Sequence, residues 1–304
     1  MGSRNRCDAP RPWGAPLSRF RHFAAIDWSG AAGARQKGIA LAICGWDDGA
    51  PQIVRPGHIW SRQDVLDWLR HDLPDDTLVG LDLGPSLPFV DRGAYFPGWT
   101  QSPADARALW ALVDSIAADD PHLAATGFVD HPEVARHFRR HGGRTGDLFG
   151  TGRGRLRVTE EAQRDQGLNP YSNMNLVGAA QVGKSSLTGM RLFHRLAGAI
   201  PLWPIDADPG AGSLLVEIYT SIAALAGGRR KGRTKMLSHA ALDAALVALG
   251  SAPTGGDGPI DDHRSDAILS AAWLRIHAAR PDLWHPPGLT ARIAATEGWT
   301  FGVA

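Results

Sequence analysis

The stretch TLVGLDLG, residues 77–84, decides how the rest of the chain is arranged. A short apolar run bounded by turn residues reads as a buried strand, and only Asp82 interrupts this one. Upstream, FAAIDWSG (23–30), KGIALAICGW (37–46) and PQIVRPGHIW (51–60) read as three further strands, the last with Pro56 favouring an edge position. Short glycine-containing links join them as an antiparallel meander. SRQDVLDWLRHDL (61–73) follows as a helix, with Ser61 placed to cap it, Asp64 three residues on, and Val65, Leu66, Trp68 and Leu69 on one apolar face. A strand reached from a meander through a helix can lie parallel to a meander strand, so 77–84 makes the sheet a mixed one.

Between 85 and 212 the pattern changes to helical stretches and Gly- or Arg-rich loops, which we read as one large insertion over one side of the sheet. SLLVEIYTS (213–221) is then a fifth buried strand. The basic loop GGRRKGRTK (227–235) comes next, and two helices close the chain, SHAALDAALVAL (238–249) and IDDHRSDAILSAAWLRIHAA (260–279). The expectation is an α/β domain with a mixed five-stranded sheet, flanking helices and a mainly helical insertion between the fourth and fifth strands.

Composition limits what this domain does. With 304 residues, 43% of them hydrophobic, the chain can bury a large core. Its formal charge of +1 offers no global attraction for nucleic acid, so any basic surface must be local. Two cysteines, Cys7 and Cys44, provide neither a disulfide framework nor a paired metal spacing, and a reducing cytoplasm fits this usage best. No apolar run approaches the roughly 20 residues that span a bilayer. Residues 1–21 carry five arginines without periodicity and read as a solvated basic tail ahead of the domain.

Acids inside apolar segments are the informative anomaly. Asp27, Asp82 and Glu217 each interrupt a run that reads as buried strand, and a buried carboxylate without a partner costs several kcal/mol or becomes protonated. On the last helix Asp266 precedes Leu269, Trp273 and Ile276 at helical spacing, which places it on the core-facing stripe with Asp262 one turn earlier. Acids from three strands and a helix can therefore converge. Convergent carboxylate oxygens suit hard cations such as Mg²⁺ or Mn²⁺, and two such ions can clamp the attacking and leaving oxygens of a phosphodiester. Plainer roles stand beside this one: Asp262 and Asp266 as helix caps, Asp27 and Asp82 as strand-end turn formers, Glu217 paired with an arginine from the insertion.

Five segments then carry a resemblance. AIDWSGA, VGLDLGPSLPF, LVEIYTS, DHRSDAILSAAWL and TEGWTFGV resemble, in order, the predicted RNase H-like nucleases grouped as domain of unknown function 429, over about residue 22 to the end. The resemblance implies an RNase H-like core whose metal-binding acids are Asp27, Asp82 and Asp266. Glu217 matches the family's E-x-Y-P strand, with Thr220 where proline is usual; His263 and Asp262 stand three and four residues before Asp266, where the family often has an acid. The function implied is metal-dependent hydrolysis of nucleic acid with two ions, with Glu217 and Asp262 as candidates to complete the site.

Other motifs are weighed against this. GAAQVGKSS (178–186) fits the G-x-x-x-x-G-K-[ST] phosphate loop, yet YSNMNLV before it is polar and turn-prone, and QVGKSSLTGM looks like a recurrent stretch of the same family. We therefore expect no ATP site, with Lys184 touching a substrate phosphate at most and Gly183 and Gly189 permitting close packing. DLGPS (82–86) resembles the phosphate loop of actin-like kinases, which makes an ATP-dependent phosphotransferase the runner-up; a decayed nuclease core that only binds is the third reading. Glu133, His137 and His141, spaced by four in HPEVARHFRRH, are read as part of a solvated basic helix rather than a metal face. Arg229, Arg230, Lys231 and Arg233, with Lys235, have the density of a phosphate-contact patch but no interleaved aromatic ring.

Overall fold

The computed structural model describes residues 19–46, 49–177 and 182–304. Their six strands are β1 (His22–Asp27), β2 (Ala40–Cys44), β3 (Gln52–Ile53), β4 (Thr77–Asp82), β5 (Leu202–Trp203) and β6 (Leu214–Glu217), in the order β3-β2-β1-β4-β6-β5. The meander β1-β2-β3 is antiparallel; β4 pairs parallel with β1 and β6, and β6 parallel with β5. The sheet is mixed, as expected, but has six strands rather than five. The addition, β5, lies in the stretch assigned to the insertion and is too short to leave a pattern of its own. The third strand is shorter than expected, because Arg55 and Gly57 take positive φ angles of 51° and 82° and turn the chain away.

Helices cover both faces. Helix α1 (Arg62–His71) begins at Ser61, whose hydroxyl accepts from the Asp64 amide while the Asp64 carboxylate accepts from the Ser61 amide. Five helices lie between β4 and β5: α2 (Ala106–Ile116), α3 (Thr126–Asp130), α4 (Pro132–Ala135), α5 (Val158–Asp165) and α6 (Val182–Leu196). After β6 come α7 (Thr220–Ala226), α8 (His239–Ala248), α9 (Asp262–His277), α10 (Pro281–Trp284) and α11 (Ala291–Thr296). None of the described helices is long and apolar enough to cross a membrane.

Successive strand residues feed two separate cores. Ala24 and Ile26 of β1, Val79 and Leu81 of β4 and Leu215 of β6 join the core beneath α1, α2 and α6. Phe23 and Ala25, Leu78, and Leu214 and Val216 join the core beneath α7, α8 and α9. Gly80 lets α9 close onto the sheet, since a Cβ there would meet the Leu274 and Ile218 side chains at 2.8 and 2.7 Å. The stripe expected on α9 is partly right: Leu269 and Trp273 are buried, but Ile276 is 41% exposed and His277 takes the next inward position, stacked on Trp273.

Two expectations about flanking segments change. Residues 1–18 of the anticipated tail lie outside the described residues, but 19–21 already belong to the fold: Phe20 is buried and stacks on Trp284, and Arg19 pairs with Asp208. The helix expected to carry Glu133, His137 and His141 stops at Ala135, and Arg139 bridges to Thr145 and Asn175 instead. The three side chains therefore do not share a helical face.

His137 is buried with its ring edge on Phe96, and its Nδ1 has no hydrogen-bond partner among the described residues. Burial, with Arg155 and Arg136 nearby, pushes its pKa down to about 4. An unfolded histidine titrates near 6.5, so between about pH 6.5 and 4 the unfolded chain takes up a proton that the folded chain refuses, and stability falls as the pH drops. Urea midpoints measured across this window should fall more steeply for the wild type than for His137→Phe; parallel curves would show that His137 does not contribute.

Candidate active site

The acids stand at the carboxyl ends of adjacent strands. Asp27 ends β1 and Asp82 ends β4, directly opposite each other in the parallel register. Both share the strand parity of the residues beneath α9, so both face that helix. Asp266, one turn into α9, is the third member, and the three carboxyl groups feel one another. Burial, with Asp27 and Asp266 adding to it, raises Asp82 well above the ordinary carboxylate range. Burial and the carboxylates of Asp27 and Asp262 push Asp266 up to about 7. Burial also raises Asp27, opposed by a hydrogen bond from His263.

Local cations and donors offset part of this charge. His263 Nδ1 lies 2.8 Å from Asp27 Oδ2, and this bond holds the imidazole above its usual pKa. The Asp82 oxygens meet the Thr220 amide and hydroxyl at 3.4 and 3.3 Å. Asp262 is paired with Lys235, which keeps it below the ordinary range. The helix cap is neither Asp262 nor Asp266 but Asp261, whose side chain accepts from the Arg264 amide. His263 and Thr220 were thus visible only as departures from a motif. As the side chains stand, no three His, Cys, Asp or Glu groups among the described residues form a ready-made ion site.

Glu217 behaves differently. It pairs in register with Leu81, on the opposite sheet face from Asp82, and points toward the insertion. There Arg157 grips both of its oxygens at 2.9 and 2.6 Å, and the Thr300 hydroxyl donates to Oε1 at 2.9 Å. Arg157 also meets Glu160 Oε1 at 3.0 Å and the Glu297 carbonyl at 2.9 Å, so the closing segment of the chain is tied to β6. The arginine-pairing alternative is the one realised for Glu217.

A cleft of about 520 Å³ opens between these two groups, with Asp82 and His263 on one side and Arg157 and Glu217 on the other. Its remaining walls include Ser29, Tyr171, Lys184 and Ser185. The loop after β1 and the first turn of α6 touch backbone to backbone: a Cβ on Gly30 would lie 2.4 Å from Lys184 C and Ser185 N. Trp28 Nε1 donates to Thr188 Oγ1 at 2.9 Å and holds the two together. Thus the segment that mimics a phosphate loop does reach the cleft. Its first glycine, Gly178, lies outside the described residues, and 171–177 form no strand.

The remaining candidates sit elsewhere. Arg229, Arg230, Lys231 and Arg233 do not line the cleft; Arg230 and Arg233 bridge each other in a turn, and only their neighbour Lys235 reaches the acids. Ser86, the hydroxyl of the kinase-like DLGPS, is buried and donates to the Thr296 carbonyl. It is not presented to a phosphate. Comparison with protein-family models, curated proteins and solved structures gave no match to this chain.

Proposed function

We propose that the chain is a metal-dependent phosphodiesterase acting on nucleic acid from an RNase H-like core. The observation that supports this most is the register pairing of Asp27 with Asp82 beneath Asp266, three mutually repelling carboxyls of which Asp82 lines the cleft. A fold optimised for stability alone would not bury like charges together. The antiparallel meander followed by a parallel fourth strand, with acids on the first and fourth strands and on the long helix, is also what the resemblance to RNase H-like nucleases implies.

The donor chemistry fits Mg²⁺ or Mn²⁺. All three groups are carboxyls, the hard oxygen donors these ions take, and His263 and Lys235 offset part of their negative charge. Asp27, Asp82 and Asp266 would hold the metal, with Asp262 beside them. When bound, it supplies Lewis-acid stabilisation and a water of lowered pKa. The protein's own residues do the rest: Thr220 orients Asp82, His263 orients Asp27, and Lys184 and Ser185 form a polar wall where a phosphate can rest.

The purified protein should cleave single- or double-stranded DNA or RNA when supplied with Mg²⁺ or Mn²⁺ and stop when EDTA is added. Calorimetric titration with Mn²⁺ should give saturable binding. A protein that neither binds Mn²⁺ nor cleaves any of these polymers would refute the proposal.

A further inference from the structure

Beyond Lys184 the cleft continues into a second, smaller cavity of about 220 Å³, which shares Gly30, Ala31 and Lys184 with it. Its rim is unusually rich in positive charge. Arg140, Arg144 and Lys184 line it together with His141, with the buried Arg62 behind them, and among the described residues Asp130 is the one carboxylate in the lining. Arg140 and Arg144 both turn to that carboxylate, at 2.6 and 3.8 Å, so two guanidinium groups share one negative charge. Lys184 Nζ lies 2.6 Å from His141 Nε2. Arg62 spends its donors on backbone carbonyls of Ser29, Ala31 and His122 and pairs with no carboxylate among the described residues. Below the rim the floor is aliphatic, with Leu176 and Leu187 among its residues.

We infer that this basic cavity is a subsite for a phosphate-bearing nucleotide of a nucleic-acid strand, adjacent to the bond lying over the carboxylates. The inference rests on the phosphodiesterase reading above. A polyanion entering a cleft that has Asp82 in its wall, with Asp27 and Asp266 behind it, is repelled unless cations flank the reacting position, and the chain's overall charge of +1 cannot provide that at a distance. The cavity beside Lys184 supplies it locally. Guanidinium groups match phosphate oxygens in a fork, and the aliphatic floor seats the flat face of a base. Asp130 then acts as a stand-in anion that holds Arg140 and Arg144 in place.

The test separates binding from cleavage by working in EDTA, reading the anisotropy of short fluorescein-labelled single-stranded DNA and RNA at several salt concentrations. Wild-type protein should bind at least one of them. The double variant Arg140→Gln, Arg144→Gln should bind about tenfold more weakly, with a salt slope flatter by about 0.7 for each phosphate no longer neutralised. Asp130→Asn, which keeps both arginines, should bind more tightly. The inference fails if neither strand binds, if the double variant matches wild type in affinity and slope, or if polyglutamate displaces the strand as well as unlabelled strand does. Metal-dependent cleavage that survives an indifferent double variant would remove the subsite and leave the phosphodiesterase reading intact. Arginine-dependent strand binding without cleavage would support the subsite and overturn that reading.

Discussion

Arg157→Met should lower the unfolding free energy by about 3–5 kcal/mol, the cost of leaving a buried ion pair with one partner missing. The site is unusually exposed to this loss. Arg157 is 1% exposed and is the cation that serves both Glu217 and Glu160, and burial already pushes Glu160 up to about 7 even with the guanidinium beside it. Methionine fills much of the volume but leaves Glu217 without its two charge-assisted bonds. It also frees the Glu297 carbonyl that fastens the end of the chain to this arginine. Guanidinium chloride titration at neutral pH measures the loss, and a fall of under about 1 kcal/mol would mean that water replaces the arginine freely. Adding Glu217→Gln and Glu160→Gln to Arg157→Met should restore part of the stability, since the buried charge is then gone.

Asp82→Asn should have the opposite profile: cleavage reduced on the order of 10³-fold or more, with the fold kept and the EDTA-treated protein melting at a higher temperature than wild type. Asparagine preserves the shape of the side chain and can still accept one of the two Thr220 bonds on its oxygen, while its amide donates to the Thr220 hydroxyl. What it removes is a carboxyl that burial, Asp27 and Asp266 make costly to ionise, raising it well above its ordinary range. Circular dichroism and thermal melts in EDTA, alongside a metal-dependent cleavage assay, decide the matter. A variant that cleaves normally would take Asp82 out of the site; one that is inactive because it is unfolded would show that the charge serves structure instead.

These two residues differ in how readable they were. Asp82 stands out as an acid inside an apolar run, and so do Asp27 and Asp266, because desolvating a carboxylate is costly wherever it happens. The strand–helix–strand order around them was legible for a similar reason: Ser61 with Asp64, and the apolar face from Val65 to Leu69, are local signals that survive without tertiary context. Arg157 left no such trace. It sits in the glycine- and arginine-rich stretch 150–157, where nothing local distinguishes the buried Arg155 and Arg157 from the exposed Arg153. The basic cavity was hidden likewise, because its cations come from α1, from the segment after α4 and from α6. The two-residue strand β5 is too short for any period to show.

The amino-acid order alone specified a mixed α/β sheet, its helical cover, and which carboxylates would be expensive to bury. It did not specify which way each carboxylate faces. Strands packed on both sides carry apolar residues at every position, so the alternation that would reveal a face is absent. The direction then depends on register between strands far apart in the chain, and one residue of slip reverses every side chain. Asp27 opposite Asp82 sends both toward α9, whereas Glu217 opposite Leu81 sends it to Arg157 on the other side. Three acids with the same signature in the sequence are thus divided into a repelling cluster and a closed ion pair by pairing between strands far apart in the chain, which only the assembled sheet decides.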